Sequence, residues 1–180
     1  MGARAVFLDR DGVINEVLTE RVKFVNKPSE LYFLPGVPTA IRKLNEVFGD
    51  NIFVVTNQGG VGLGFMKVNQ LEKIHEHMIV ELKKEGAVIK DVAYCPHKPK
   101  VGCECRKPGT KMITELAEKY NIDLAQSYMV GDTDTDIQAG KKAGTKGIFL
   151  GESDPLADAV FPDLLSASDW IIEDVTKSNT

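Results

Sequence analysis

The sequence predicts an α/β fold built on a mainly parallel sheet, and three observations carry that prediction. Short apolar, β-branched runs alternate along the chain with longer segments whose apolar residues recur at helical spacing. Clusters of polar residues fall just after several of those short runs. The chain has 180 residues, 43% of them apolar and 27% charged, which suits one domain over residues 1–180 with a sizeable core. Alternating strands and helices imply a parallel sheet covered on both faces, a three-layer sandwich.

The elements follow in order. Val6-Phe7-Leu8 reads as a buried strand ending at Asp9. Residues 36–48 place Val37, Ile41, Leu44, Val47 and Phe48 at helical intervals. Ile52 to Thr56 is a second apolar strand, followed by a loop over 57–64. Residues 67–85 form a helix with Leu71, Ile74, Met78 and Leu82 on one side, and Gly86 stops it. Residues 88–94 alternate loosely as a third strand, and residues 95–108 are a loop rich in Pro, Lys and Gly. A helix over 110–120, a strand over 128–130, a helix over 134–143 and a strand over 147–150 complete the alternation. Trp170-Ile171-Ile172 is expected as a short edge strand. There is no internal repeat, low-complexity tract or long linker.

Composition excludes several classes of function. Net charge is -4, and no run of Lys and Arg offers a footprint for nucleic acid or an anionic membrane. No apolar run reaches the length of a membrane span. The first residues lead straight into a strand, without the apolar region of a signal peptide, and Val6 stands where a myristoylation motif wants Ser or Thr. A cytoplasmic monomer is expected, with no nucleic-acid or membrane partner.

In open α/β sheets, ligands bind beyond the carboxyl ends of the strands. Asp9-Arg10-Asp11-Gly12 puts two carboxylates there. One can attack phosphorus to give an acyl-phosphate, and the second can protonate the leaving alkoxide and then activate water. A spacing of two keeps both on one side while the chain stays extended. Thr56, Asn57 and Gln58 close the second strand with a hydroxyl and N–H groups suited to phosphate oxygens, and Lys107 adds a point charge. Asp132 follows the fourth strand, and Asp136 lies one helical turn on, so the two can hold or support a magnesium ion. Converging carboxylates repel one another unless a divalent cation and a lysine offset them. Each piece alone has a plain structural reading as a turn, strand end or helix cap. Their order along the chain, each at a strand end, favours a site.

Cys95-Pro96-His97 and Cys103-Glu104-Cys105 give Cys-x-His-x5-Cys-x-Cys. Three thiolates and an imidazole match a closed, structural zinc site with no open position. A disulfide would leave one thiol over, and a redox pair would favour Cys-x-x-Cys. The polar neighbours Lys98, Lys100 and Glu104 argue against a core segment. Because Cys105 precedes Arg106 and Lys107, folding this loop on zinc would fix where both cations point. His75 and His77, on the helix over 67–85, are assigned packing or surface roles away from the strand ends.

Asp9-Arg10-Asp11-Gly12-Val13-Ile14, Thr56-Asn57-Gln58, Arg106-Lys107-Pro108 and Gly131-Asp132 with Asp136 resemble the four ordered motifs of the haloacid dehalogenase superfamily. Within it, the chain is similar to the small histidinol-phosphatase and heptose-bisphosphate-phosphatase family, zinc loop included. The resemblance covers residues 4–150. It implies a Rossmann-like core without a large cap domain, an aspartyl-phosphate on Asp9, and Asp11 as acid/base and as a magnesium ligand through its backbone carbonyl. It further implies phosphate contacts from Thr56 and Lys107, and Asp132 completing the magnesium site. Residues 15–35 would form a flap over the site, and Arg106 would meet a second phosphate or an anionic leaving group. Where the heptose branch carries a Gly-Tyr-Val stretch, this sequence reads Val22-Lys23-Phe24-Val25.

The partner is then a small phosphorylated metabolite. A sugar bisphosphate, D-glycero-D-manno-heptose 1,7-bisphosphate, is favoured because no second enzyme domain is fused. Histidinol phosphate is the alternative. A nucleic-acid 3′-phosphatase fits the acidic charge poorly, and a non-catalytic zinc-bearing binding protein fits the intact acid pair poorly.

Overall fold

In the computed structural model, which describes residues 2–178, the apolar runs become strands where sheet and helix layers cover them. Met1, Asn179 and Thr180, at the ends of the expected 1–180 domain, lie outside the described residues. The strands are β1 (Val6–Leu8), β2 (Ile52–Asn57), β3 (Asp91–Cys95), β4 (Tyr128–Gly131), β5 (Lys146–Leu150) and β6 (Ala159–Phe161). The helices are α1 (Val37–Phe48), α2 (Val68–Lys84), α3 (Lys111–Tyr120), α4 (Asp134–Ala143) and α5 (Leu164–Lys177). Short 3-10 turns occur at Pro28–Glu30 and Leu124–Gln126.

All neighbouring strands pair in parallel, in the order β3-β2-β1-β4-β5-β6. This is the Rossmann-like order, and it reverses between β1 and β4. Leu8 aligns with Val54 on one side and Val130 on the other, so β1, β2 and β4 end at one edge beside that switch point. Side chains alternate across the sheet. Val6 and Leu8 join Ile41 and Leu44 of α1 and Ile171 of α5 on one face. Phe7, Phe53 and Val55 join Ile113 and Leu116 of α3 and Ala139 of α4 on the other.

Several element boundaries differ from the sequence expectation, most by a single residue. Trp170, Ile171 and Ile172 lie inside α5, not in a strand. Asp163 accepts the Ser166 N–H and starts that helix, and Leu164, Ala167, Ile171 and Val175 then recur at helical spacing on its buried side. Burial of that stripe overrides the β preference of Trp-Ile-Ile, and the edge strand is β6 instead. The third strand begins at Asp91 because the Asn45 side chain takes both the N–H and the C=O of Val88, at 2.9 Å each. The fifth begins one residue early, at Lys146.

The only regular element between β1 and α1 is the turn at Pro28–Glu30, so no cap domain is inserted there. Among the described residues, no helix is long and apolar enough to cross a membrane.

Candidate active site

The crevice at the β1/β4 switch point is assembled from four separate segments. The Asp9 N–H donates to Val130 O at 3.0 Å, which ties the end of β1 to β4. The chain then turns: the Arg10 carbonyl accepts from the N–H groups of Val13, Ile14 and Asn15. Asp11 therefore sits in a turn, not on an extended strand. Gly12 has φ 84, and a Cβ there would lie 1.9 Å from Asp132 Oδ2, so only glycine lets this turn rest on the β4 loop.

Lys107 is the buried centre of the crevice. Its Nζ donates to Asp9 Oδ1 and to Val55 O, each at 2.8 Å, and pairs with Asp136 Oδ1 at 2.6 Å. Three partners match its three protons. Asn57 grips its backbone, accepting the Lys107 N–H at 2.9 Å and donating to its C=O at 3.3 Å. The Asn57 side chain is thus engaged with Lys107. Asp136 Oδ2 accepts from Asp132 N, Thr133 N and Thr133 Oγ1, a capping box that shapes the loop carrying Asp132.

Asp11 lies beside this group. Its Oδ1 accepts from Arg10 Nε at 3.0 Å, Arg10 Nη2 at 2.9 Å and Asn15 Nδ2 at 2.9 Å. Its Oδ2 accepts from Gln58 Nε2 at 3.2 Å, and the same amide donates to the buried Thr56 hydroxyl at 2.9 Å. Burial pushes the Asp11 carboxyl up, but the Arg10 charge and the hydrogen bonds outweigh it and leave the pKa lowered. Asp9 moves the other way: burial, opposed by Lys107 and aided by Asp136, raises it well above the ordinary value. Burial and then the Asp136 charge raise Asp132 to about 6. Burial disfavours the charged Lys107, yet Asp9 and Asp136 outweigh it and raise its pKa.

Carboxylate oxygens of Asp9, Asp132 and Asp136 lie within 4.8 Å of one another, and Asp132 Oδ1 is buried without a hydrogen-bond partner. Converging carboxylates and an orphaned buried oxygen fit a hard divalent cation. A second group lies at the end of β3. One ligand atom each from Cys95, His97, Cys103 and Cys105 falls within 4.8 Å of the others, and the three cysteines are free. This donor set fits zinc. Cys95 is wholly buried among core residues, in contrast to the polar loop the sequence suggested, because it belongs to β3 and pairs with Asn57. The loop after β2 is stitched to this region by Gln58 N to Cys95 O at 2.8 Å and Gly62 N to Pro96 O at 2.9 Å.

A cavity of 490 Å³ opens beside Asp11. Val17, Lys23 and Phe24 line it from the segment before α1, and Gly59, Phe65 and Arg106 line it from the other side. Arg106 Nη1 also donates to His97 O at 3.3 Å. The expected site residues Asp9, Asp11, Thr56, Gln58, Lys107, Asp132 and Asp136 thus converge, with Asn57 and Arg106 at their border. Sequence reasoning passed over Arg10 and Asn15, although an arginine between two acids is a signal. It also set His75 away from the strand ends. His75 is indeed packed, but its Nε2 lies 3.0 Å from Arg10 Nη1, which brings it to that edge.

Fold and site define a haloacid dehalogenase-like hydrolase. The HAD-hydrolase-like family matches residues 104–177. The D-glycero-beta-D-manno-heptose-1,7-bisphosphate 7-phosphatase of Rhodopseudomonas palustris is 40% identical, over 82% of this chain and 84% of that protein. The D-glycero-alpha-D-manno-heptose-1,7-bisphosphate 7-phosphatase of Photorhabdus laumondii is 32% identical, over 94% and 97%. The crystal structure of D,D-heptose 1,7-bisphosphate phosphatase from B. bronchiseptica, complexed with magnesium and phosphate, matches with a TM-score of 0.84 at 31% identity, over 95% of this chain and 99% of that one. The chain belongs to the haloacid dehalogenase-like phosphatases, in the family that includes these heptose-bisphosphate enzymes.

Proposed function

We propose that this phosphatase removes the 7-phosphate of D-glycero-beta-D-manno-heptose 1,7-bisphosphate through an aspartyl-phosphate on Asp9. The observation that carries the mechanism is the Lys107 ammonium bridging Asp9 and Asp136 beside a separately held Asp11. An Asp9 carboxylate oxygen attacks phosphorus and the bond to the sugar oxygen breaks. Asp11 delivers a proton to that oxygen. Asp11 then takes a proton from water as the water attacks phosphorus, which releases inorganic phosphate and restores Asp9. Lys107 and the Thr56 hydroxyl stabilise the phosphoryl oxygens, with Gln58 and Asn57 orienting them. Magnesium held by Asp9, Asp132 and the Asp11 carbonyl would offset the crowded negative charge. Asp136 supports that set by shaping the Asp132 loop.

Zinc on Cys95, His97, Cys103 and Cys105 is structural in this reading, because four protein ligands leave no open position. The bisphosphate preference is supported by Lys23 and Arg106, two cations lining the cavity beside Asp11, and by the substrates named for the relatives. The test is kcat/KM with magnesium for both heptose bisphosphate anomers, histidinol phosphate and a 3′-phosphorylated oligonucleotide. The beta bisphosphate should be preferred over the last two by about 100-fold, the scale of a recognised charged group. Preference for histidinol phosphate would overturn the substrate and leave the mechanism standing.

A further inference from the structure

Arg10 heads the large side chains that are wholly shielded from solvent, at 0% exposure. A buried guanidinium needs its donors matched. Two of its nitrogens meet Asp11 Oδ1, and the third, Nη1, lies 3.0 Å from His75 Nε2. Arginine only donates, so His75 accepts at Nε2 and carries its proton on Nδ1. Burial and then the Arg10 charge push the His75 pKa down to about 3, consistent with a neutral ring. The ring is held in place in turn: it is buried on α2 and lies 5.8 Å from the Tyr94 ring. A helix on which no other residue has been placed in the crevice is thus joined to Asp11 through one side chain.

Three donors occupy Asp11 Oδ1, so a proton on this carboxyl can reside only on Oδ2. The direction of Oδ2 depends on the plane of the Arg10 fork. We infer that His75 is a positioning residue, whose acceptor nitrogen fixes the Arg10 fork and so aims Asp11 Oδ2 at the leaving oxygen. This rests on the reading of Asp11 as acid/base. The acid half of the cycle is the more sensitive one, because it needs the single proton site, Oδ2, aimed at the leaving oxygen.

The test separates leaving groups. The heptose bisphosphate loses an alkoxide that needs a proton, whereas p-nitrophenyl phosphate loses a nitrophenolate that does not. In His75→Leu, kcat/KM should fall about tenfold for the bisphosphate, a part of what a general acid supplies. For p-nitrophenyl phosphate it should change by less than about twofold. His75→Gln, which retains an acceptor near the Nε2 position, should restore the bisphosphate value to within about twofold of wild type. Equal losses on both substrates, no loss on either, or failure of the glutamine to rescue would overturn the proposal. If the leucine variant does not fold, His75→Asn serves in its place, since its shorter amide does not reach Arg10. Equal behaviour of the Asn and Gln variants would then count against the inference. Asp11→Asn is the control: undiminished kcat/KM on the bisphosphate in that variant would sink the acid/base reading itself, whatever His75 does.

Discussion

The carboxylate crevice at the ends of β1 and β4 and the thiol–imidazole cluster at the end of β3 both gather metal-ligand groups, but different things hold them together. The crevice contains its own counter-ion: Lys107 binds Asp9 and Asp136, and the backbone N–H groups of Asp132 and Thr133 also donate to Asp136. In the cluster, the ligand atoms contact one another. Cys95 Sγ lies 2.8 Å from Cys105 Sγ and 3.4 Å from His97 Nδ1. Burial first, and then the neighbouring thiol, pushes the Cys95 pKa up to about 12, so a metal has to displace that proton. The protein's own lysine therefore compensates the charge of the crevice, whereas a bound metal would compensate that of the cluster. Lys107, two residues after Cys105, is where the two regions meet.

The largest effect should come from breaking the crevice at its nucleophile. Asp9→Asn should lower p-nitrophenyl phosphate turnover by about 10⁴-fold or more and abolish acid-trapped phosphoenzyme, while the protein stays folded. Normal turnover in that variant would remove the crevice from the mechanism. Lys107→Met should cost roughly 10²–10³-fold in turnover, the scale of one lost electrostatic stabiliser. It should also lower the Tm of the metal-free protein by leaving Asp9 and Asp136 unpaired, and excess magnesium should recover part of that loss. A Tm unchanged by the substitution would show that the lysine is not the internal counter-ion.

Depriving the cluster of the zinc proposed for it sharpens the contrast from the other side. A zinc chelator in excess magnesium, or Cys103→Ser, should reduce turnover roughly tenfold by loosening Arg106 and the chain that leads into Lys107. The Tm should fall in parallel, and full activity without zinc would uncouple the two regions.

The smallest effect is a pH dependence of stability. The His75 pKa falls from 6.5 to about 3 on folding, so below pH 6.5 the unfolded chain binds a proton the folded one does not. That stabilisation is complete above pH 6.5 and is lost as pH falls toward 3. Between pH 7 and pH 5, wild type should lose about 2 kcal/mol more than His75→Gln in denaturant melts. Parallel losses would mean that His75 is already charged when folded.

Much of the site was legible because its chemistry is written in local strings. Asp9-Arg10-Asp11-Gly12, Thr56-Asn57-Gln58 and Gly131-Asp132 each lie at the end of a strand, and strands announce themselves by short apolar runs. The cysteine loop was legible for the same reason. Arg10 was not, since nothing in the string says that a charge between two acids turns wholly inward. His75 was not, because its partner lies 65 residues away. Residues 170–172 were misread because strand propensity yields to the burial of a helix stripe.

By itself the sequence determined the alternation of strands and helices, the donor types at both ligand groups and the order of the motifs. These depend on periodicity and side-chain chemistry, which are local. Only the tertiary structure decided that Asn57 serves Lys107's backbone, that Asp136 shares Lys107 with Asp9, and that His75 reaches Asp11 through Arg10. The physical reason is that buried charges must be paired, and which partner each one finds depends on how the parallel strands bring distant segments to one sheet edge.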